Sequence, residues 1–208
     1  MRKRGVPRWG DWSSKPGGAV SRSQVGSTPI LFRHPHPPSC SRPLPARIMA
    51  ELRGCPFPED LRYNPANHLW FAAEGEGVWR VGVTPFGVAI AGEILLFTPK
   101  PAGRRLDAGR AFGLLEAGKT VFPVKTPVAA EVVEGNADMA ASARLMNTDA
   151  YAAWLVRLRI EAEDAARQLL PWADAQAAIE AQMDLWRFDD LDGFQAPLLG
   201  EGAKGLPG

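Results

Sequence analysis

Cysteine is scarce in this chain of 208 residues: only Cys40 and Cys55 occur. With no signal-peptide pattern in the sequence, two thiols argue against a disulfide framework and set the expectation of a reducing, cytoplasmic compartment. Long apolar runs are absent as well. No stretch approaches the ~18–20 residues that a membrane-spanning helix needs, so a membrane is not expected as a partner. There is no βαβ alternation and no Gly-rich phosphate loop, which removes the usual basis for nucleotide binding. Lysine, too, is rare in the body: between Leu52 and Arg187 only Lys100, Lys119 and Lys125 appear, and other basic positions are Arg. Arginine supplies charge equally well, but only a primary amine can be acylated into an amide.

Acidic residues are the missing component of the first segment. Residues 1–48 hold nine Lys/Arg and a single acid, Asp11, whereas residues 49–208 hold fifteen Lys/Arg and twenty-two Asp/Glu. Such a basic, Ser/Pro/Gly-rich head buries too little apolar surface to offset its chain entropy, so residues 1–48 are expected to be disordered. An organellar targeting segment fits its Arg/Ser content, but Pro35, Pro37 and Pro38 spoil the amphipathic helix. Nucleic-acid binding through charge lacks interleaved aromatics or a folded motif, and nucleic acid is not expected as a partner. The favoured reading is an extension translated upstream of Met49. His34, His36 and Cys40 have metal-ligand chemistry, but the surrounding prolines offer nothing to fix their geometry. Cys55 is read as a small, partly buried side chain with a minor prospect of redox work.

What the body does contain is short β-signals. Residues 68–72 and 78–83 read as strands around the turn Glu74-Gly75-Glu76-Gly77. Residues 84–91 read as a helix capped by Thr84, with Pro85 in its first turn. Further strands are expected at 93–98, 112–117, 119–125, 128–134 and 153–159, with a loop at Gly135-Asn136. Many short strands with Gly/Pro turns predict a mainly β sandwich or small barrel over 52–159. Residues 160–188 are rich in Ala, Glu, Gln and Leu and predict helices at 160–169 and 171–186, separated by Pro171. Leu169, Trp172, Ile179, Met183 and Trp186 form an apolar stripe that either packs on the β-body or meets a partner protein. The tail 189–208 is expected to be loose.

Lys119 stands out within this plan. Leu115-Glu116-Ala117-Gly118-Lys119-Thr120 places it at a turn between two apolar segments, with Glu116 three residues earlier and Pro127-Val128 eight and nine residues later. A lysine in a hairpin turn is usually a solubilising charge. A carrier, however, needs an amine on a stiff hairpin so that an attached group swings while its base stays fixed, and Gly118 lets an attaching enzyme approach the backbone.

The pattern of Glu116 and Lys119 followed by Pro127-Val128 resembles the lipoyl/biotinyl attachment hairpin. Biotinyl domains favour Met on both sides of the lysine, where this chain has Gly118 and Thr120. Tyr63, His68-Leu69-Trp70, Val81-Gly82-Val83-Thr84, Ala91-Gly92-Glu93-Ile94, Pro99 and Gly103 are similar to the front half of glycine cleavage H-proteins. Val133-Glu134-Gly135-Asn136 and the run from Asn147 to Leu155 resemble that family's closing segment, so the likeness covers roughly 61–158.

The resemblance implies a lipoyl-type hybrid barrel-sandwich with lipoate amide-linked to Lys119. It implies a lipoate ligase or lipoyltransferase as a partner, with Glu116 an element of its recognition. It also implies an aminomethyl group passed among glycine decarboxylase, an aminomethyltransferase and dihydrolipoyl dehydrogenase. His68 matches a family histidine associated with the cleft where the loaded arm rests; a structural histidine at a β-edge is the competing reading. The chain departs from the pattern at Asp149-Ala150-Tyr151, Ala153-Trp154 and Ala129-Ala130. Gly118-Lys119 with Pro123, the run Cys55 to Leu61 and the helical extension look more like H-protein-like lipoate-binding proteins serving a heterodisulfide-reductase-like complex in sulfur oxidation. The match across the body favours the glycine cleavage type. An unlipoylated adaptor of the same fold is the third reading. In all three the chain is a carrier or scaffold and not an enzyme, because no nucleophile–base pair is evident in the body.

Overall fold

Residues 69–72 alternate strictly: Leu69 and Phe71 face one way, Trp70 and Ala72 the other, and all four are buried. A strand buried on both faces must lie between two layers. The computed structural model describes residues 47–118 and 120–194, and it supplies both layers.

The strands are β1 (Met49–Leu52), β2 (Cys55–Pro58), β3 (Arg62–Asn64), β4 (Leu69–Gly75), β5 (Val78–Val83), β6 (Ile94–Pro99), β7 (Arg105–Leu106), β8 (Ala111–Ala117), β9 (Thr120–Lys125), β10 (Ala130–Gly135), β11 (Val156–Arg159) and β12 (Leu170–Pro171). The helices are α1 (Pro85–Ala91), α2 (Ala137–Ala141), α3 (Ala162–Gln168) and α4 (Trp172–Leu185), with 3-10 turns at Pro65–Asn67 and Ala143–Asn147. A seven-stranded antiparallel sheet runs β12-β3-β4-β5-β11-β10-β7, a three-stranded sheet runs β6-β8-β9, and β1-β2 form a separate hairpin.

The main core lies between the two larger sheets. Leu69, Phe71, Val81, Val83, Val156 and Leu158 meet Phe97, Phe112, Leu115 and Val124 there. The opposite face of the seven-stranded sheet carries a second core. Tyr63, Trp70 and Ala72 pack under Phe57 of β2 and Trp172, Ala175, Ile179 and Met183 of α4. Phe57 and Trp172 stack with centroids 4.7 Å apart. The indole of Trp70 lies across the neighbouring strand, so a Cβ at Gly82 would come within 2.4 Å of it. The expected mainly β hybrid barrel-sandwich with short helices and C-terminal helices is the observed architecture, and the stripe Trp172, Ile179, Met183 covers the β-body.

Local chemistry explains where the elements begin and end. Thr84 caps α1 by accepting a hydrogen bond from the Gly87 N–H at 3.1 Å, with Pro85 at the first helical position, and Gly92 closes the helix at φ 82°. Asn136, between β10 and α2 as expected of a loop residue, caps α2: its side chain accepts from the Asp138 N–H at 3.1 Å and donates to the Trp154 carbonyl at 2.7 Å. The strand expected from residue 153 starts only at Val156. Asp149 first draws the chain into a turn by accepting from the N–H groups of Tyr151 and Ala152.

Five strands went unforeseen because each is two to four residues long and owes its state to a partner: β1, β2, β3, β7 and β12. Pro171 does separate the two helices, as expected, and it also lies in β12, paired with Arg62 of β3. The ordered body starts before Leu52, with β1 at Met49 and a hydrogen bond from the Glu59 N–H to the Ile48 carbonyl. The loose tail expected from Asp189 is corrected for its first residues. The Leu191 N–H bonds the Arg53 carbonyl at 3.1 Å, and Phe194 packs on Phe188 with centroids 4.7 Å apart. Expectations for residues 1–46, including His34, His36 and Cys40, and for 195–208 lie outside the described residues.

Candidate functional site

The β8–β9 hairpin builds the site. Its register pairs Leu115 with Phe122, Glu116 with Val121 and Ala117 with Thr120, so the connection between the strands is the dipeptide Gly118-Lys119. Lys119 itself is outside the described residues; everything around it is described. Leu115 and Ala117 are buried in the main core and root the hairpin, while Leu114 and Val121 are exposed on its outer face. Glu116 is half-buried on that outer face, opposite Val121 on one side and Leu96 on the other.

The turn is tied to the next strand. The Gly118 N–H donates to the Glu93 carbonyl at 3.0 Å, just beyond the Ile94–Ala117 pair that begins the β6–β8 ladder. A Cβ built on Gly118 would meet nothing within 4 Å, so its surroundings leave room for an approaching enzyme and a pendant group. A groove of about 420 Å³ lies beside Glu93. Its walls include Val88 and Ala89 of α1, Met146 and Tyr151, and Pro56, Leu191 and Phe194 from the chain's outer segments. Amide-linked lipoate fits such a place: open space around Gly118, rooted strands, and a nearby groove with apolar walls and a polar rim of Glu93, Asn147, Thr148 and Asp149.

His68 is elsewhere. It follows the 3-10 turn Pro65–Asn67 at φ 55°, outside the strand expected to contain it, and its carbonyl accepts from the Thr84 N–H at 2.9 Å. Its ring packs edge-on against Phe86 at 5.0 Å, near the start of α1. The turn at Gly118 lies beyond the other end of α1, and a seven-residue helix spans ~10 Å. His68 does not line the groove. Burial pushes its pKa down from 6.5 to about 4, so the ring is neutral at physiological pH.

Cys55, expected to be partly buried, is fully buried. Burial, with a smaller push from the Asp190 carboxylate, raises its thiol to about 12, which removes the thiolate that redox chemistry needs. Among the described residues no group of three His, Cys, Asp or Glu could hold a metal ion, and no helix is long and apolar enough to cross a membrane.

The structure therefore brings Glu116 and Gly118 onto one hairpin and leaves His68 apart. Three residues at the turn escaped the sequence reading as functional: Glu93, Arg144 and Asn147. The Asn147 side chain bonds both the N–H and the carbonyl of Ile94, each at 2.9 Å, and Arg144 pairs with Glu93 at 2.6 Å. Glu93 and Asn147 both fall within motifs noted in the sequence, but their convergence needed the fold.

Residues 61–182 match the family model described as glycine cleavage H-protein. "Glycine cleavage system H protein 5" of Aquifex aeolicus is 35% identical over 136 residues, 64% of this chain and 90% of that protein. "Glycine cleavage system H protein" of Chlorobium chlorochromatii is 39% identical over 104 residues, 50% of this chain and 82% of that protein. Among solved structures, a glycine cleavage system H protein from Mycobacterium marinum is 29% identical and covers 53% of this chain and 98% of its own, at a TM-score of 0.44. The hairpin β1-β2 and the residues after 182 lie outside the family match. The chain belongs to the glycine cleavage H-protein family, a family of lipoyl carriers.

Proposed function

We propose that this chain carries lipoate on Lys119 and shuttles an aminomethyl group between partner enzymes of the glycine cleavage type. The observation that carries the reading is the rooted two-residue connection Gly118-Lys119, preceded by Glu116, in a chain of this family. Attachment joins the lipoyl carboxyl to the Lys119 amine: the nitrogen loses a proton, and an activated acyl donor loses its activating group. When bound, the dithiolane supplies a disulfide that opens as it takes up a group and closes again on reoxidation.

The residues of this chain supply position and shelter. Leu115 and Ala117 hold the base of the hairpin in the core, and open space around Gly118 gives access to the attaching ligase or transferase. Glu116, half-buried beside exposed Leu114 and Val121, offers that enzyme a charged mark on an apolar face. Val88, Ala89 and Met146 form the apolar part of a groove against which a loaded arm can rest with less access to water, beside the polar Glu93, Asn147, Thr148 and Asp149. The partners in this reading are glycine decarboxylase as donor, an aminomethyltransferase as acceptor and dihydrolipoyl dehydrogenase for reoxidation. His68, neutral and packed on Phe86, serves the fold of the α1 start in this reading.

The test is intact-mass measurement after incubation with a lipoate ligase. The wild type gains one lipoyl mass. Lys119→Arg gains none and, as a charge-conserving substitution between β8 and β9, unfolds within ~0.5 kcal/mol of wild type. A gain that persists in Lys119→Arg refutes the assignment. The lipoylated protein, offered to glycine decarboxylase with glycine, accepts the aminomethyl group; failure of that step with an intact lipoyl mass would transfer the carrier to sulfur or electron cargo.

A further inference from the structure

The segment after α2 grips the strand that holds the lysine turn. Within Ala143–Asn147 the buried Ala143 and Met146 anchor the segment to the main core, while Arg144 and Asn147 face outward. Both outward side chains converge on two consecutive residues. Arg144 pairs with the Glu93 carboxylate at 2.6 Å. The Asn147 carboxamide accepts from the Ile94 N–H and donates to the Ile94 carbonyl, each at 2.9 Å.

This geometry follows from antiparallel pairing. Successive residues of a strand point their backbone groups to opposite edges. The Glu93 carbonyl points to β8 and takes the Gly118 N–H; the Ile94 groups point to the other edge of β6, where no strand follows among the described residues. Asn147 stands in for the missing strand there. The bond from the Ile94 N–H fixes the peptide plane that joins residues 93 and 94, and the bond to the Ile94 carbonyl fixes the plane after it. The first plane sets where the Glu93 carbonyl aims, and the carbonyl sets the first residue of the Gly118-Lys119 connection. A register irregularity between Ile94 and Leu96 leaves this start of β6 less supported by β8 alone.

We infer that Asn147 is a positioning residue for acylation of Lys119. With Arg144 it braces Glu93-Ile94 so that the lysine turn is held in the form an attaching enzyme accepts. The inference rests on the carrier reading above. It concerns the approach to the acyl transfer and leaves the chemistry unchanged: the amine still loses one proton as the amide forms, and a ligase-bound lipoyl adenylate still releases AMP.

The role makes a kinetic prediction that a merely structural one does not. If the braced turn is the acceptor and the unbraced turn must first reach the same form, the apparent affinity falls by the fraction that is competent while the chemical step is untouched. Full-length apo-protein is titrated against a lipoate ligase with lipoate and ATP, and lipoylation is followed by intact mass. Asn147→Ala is expected to raise KM for the protein roughly three- to tenfold with kcat unchanged. Arg144→Ala, which removes only an exposed ion pair, shifts KM in the same direction but less; it serves as the second variant should Asn147→Ala fold poorly. Amide hydrogen exchange at Gly118 speeds up in Asn147→Ala, while core amides of β4 and β5 keep their protection.

Unchanged KM in both variants overturns the inference, as does unchanged exchange at Gly118 in Asn147→Ala. A loss of kcat with constant KM also overturns it. Absence of any lipoyl mass on the wild type sinks the carrier reading itself, which separates the two failures.

Discussion

His68 shows how one residue's environment decides its role. In sequence it stood beside an aromatic in a family-like motif, and its side chain could be assigned either to a cleft or to structure. The fold puts the ring against Phe86 and the backbone in the left-handed region, with burial holding the imidazole neutral to about pH 4. Because the unfolded chain binds the proton near pH 6.5 and the folded chain resists it, the folded state loses stability as pH falls from about 6.5 towards 4. His68→Asn keeps a residue tolerant of the left-handed conformation and removes the titration. Urea unfolding at pH 7 and pH 5 is expected to show that the wild type loses about 1–2 kcal/mol more than this variant on acidification. Equal losses would mean that His68 is not the group responsible. Cys55 teaches the same lesson in reverse: nothing in Cys-Pro-Phe-Pro showed that Phe57 and Trp172 would close around the region.

At the scale of elements, the helix over 84–91 was legible almost to the residue, because its signals are local: a threonine cap, a proline at the first position and a glycine stop. The β8–β9 hairpin was equally legible, since apolar strands on either side of Gly118-Lys119 leave little other arrangement. The strands β1, β2, β3, β7 and β12 were not, because segments of two to four residues carry no periodicity and become strands only through a partner edge. The apolar stripe of α4 was visible at helical spacing, while its target was not. Trp172 starts that helix, is nearly buried, and stacks on Phe57 of the β1-β2 hairpin. Trp172→Ala is expected to cost ~3–5 kcal/mol, read as a lower urea midpoint. A loss under 1 kcal/mol would show that the helix is a loosely laid cover and not part of the second core.

At the scale of the whole molecule, the segments outside the family match clasp one another. Arg53, at the turn of the β1-β2 hairpin, donates to the Phe188 carbonyl at 2.8 Å and pairs with Asp184, and its own carbonyl receives the Leu191 N–H. Phe188 is fully buried against Phe86 of α1, with centroids 5.1 Å apart. Two segments distant in sequence thus close one layer and wall the groove beside the lysine turn. Arg53 sits at φ 49°, so Arg53→Asn removes the guanidinium without adding the strain that alanine would bring. Hydrogen exchange in this variant is expected to rise together in 49–58 and 188–194 while β8 and β9 remain protected. A rise confined to one of the two segments would show that they are held separately.

The sequence by itself determined the scarce lysine on a turn, the acid three residues before it, the short-strand pattern and the family motifs from Tyr63 to Leu155. These are local features or spacings along the chain, and covalent order preserves them. Only the tertiary structure decided that Asn147 stands in for a strand at Ile94, that the Glu93 carbonyl anchors Gly118, that His68 lies beyond the far end of α1 from the lysine turn, and that Arg53 ties the β1-β2 hairpin to the segment after α4. Each of those depends on groups between 25 and 138 residues apart meeting at hydrogen-bond distance, or being kept from meeting. No periodicity encodes such a meeting; it follows from how two sheets and a helix bury their apolar faces.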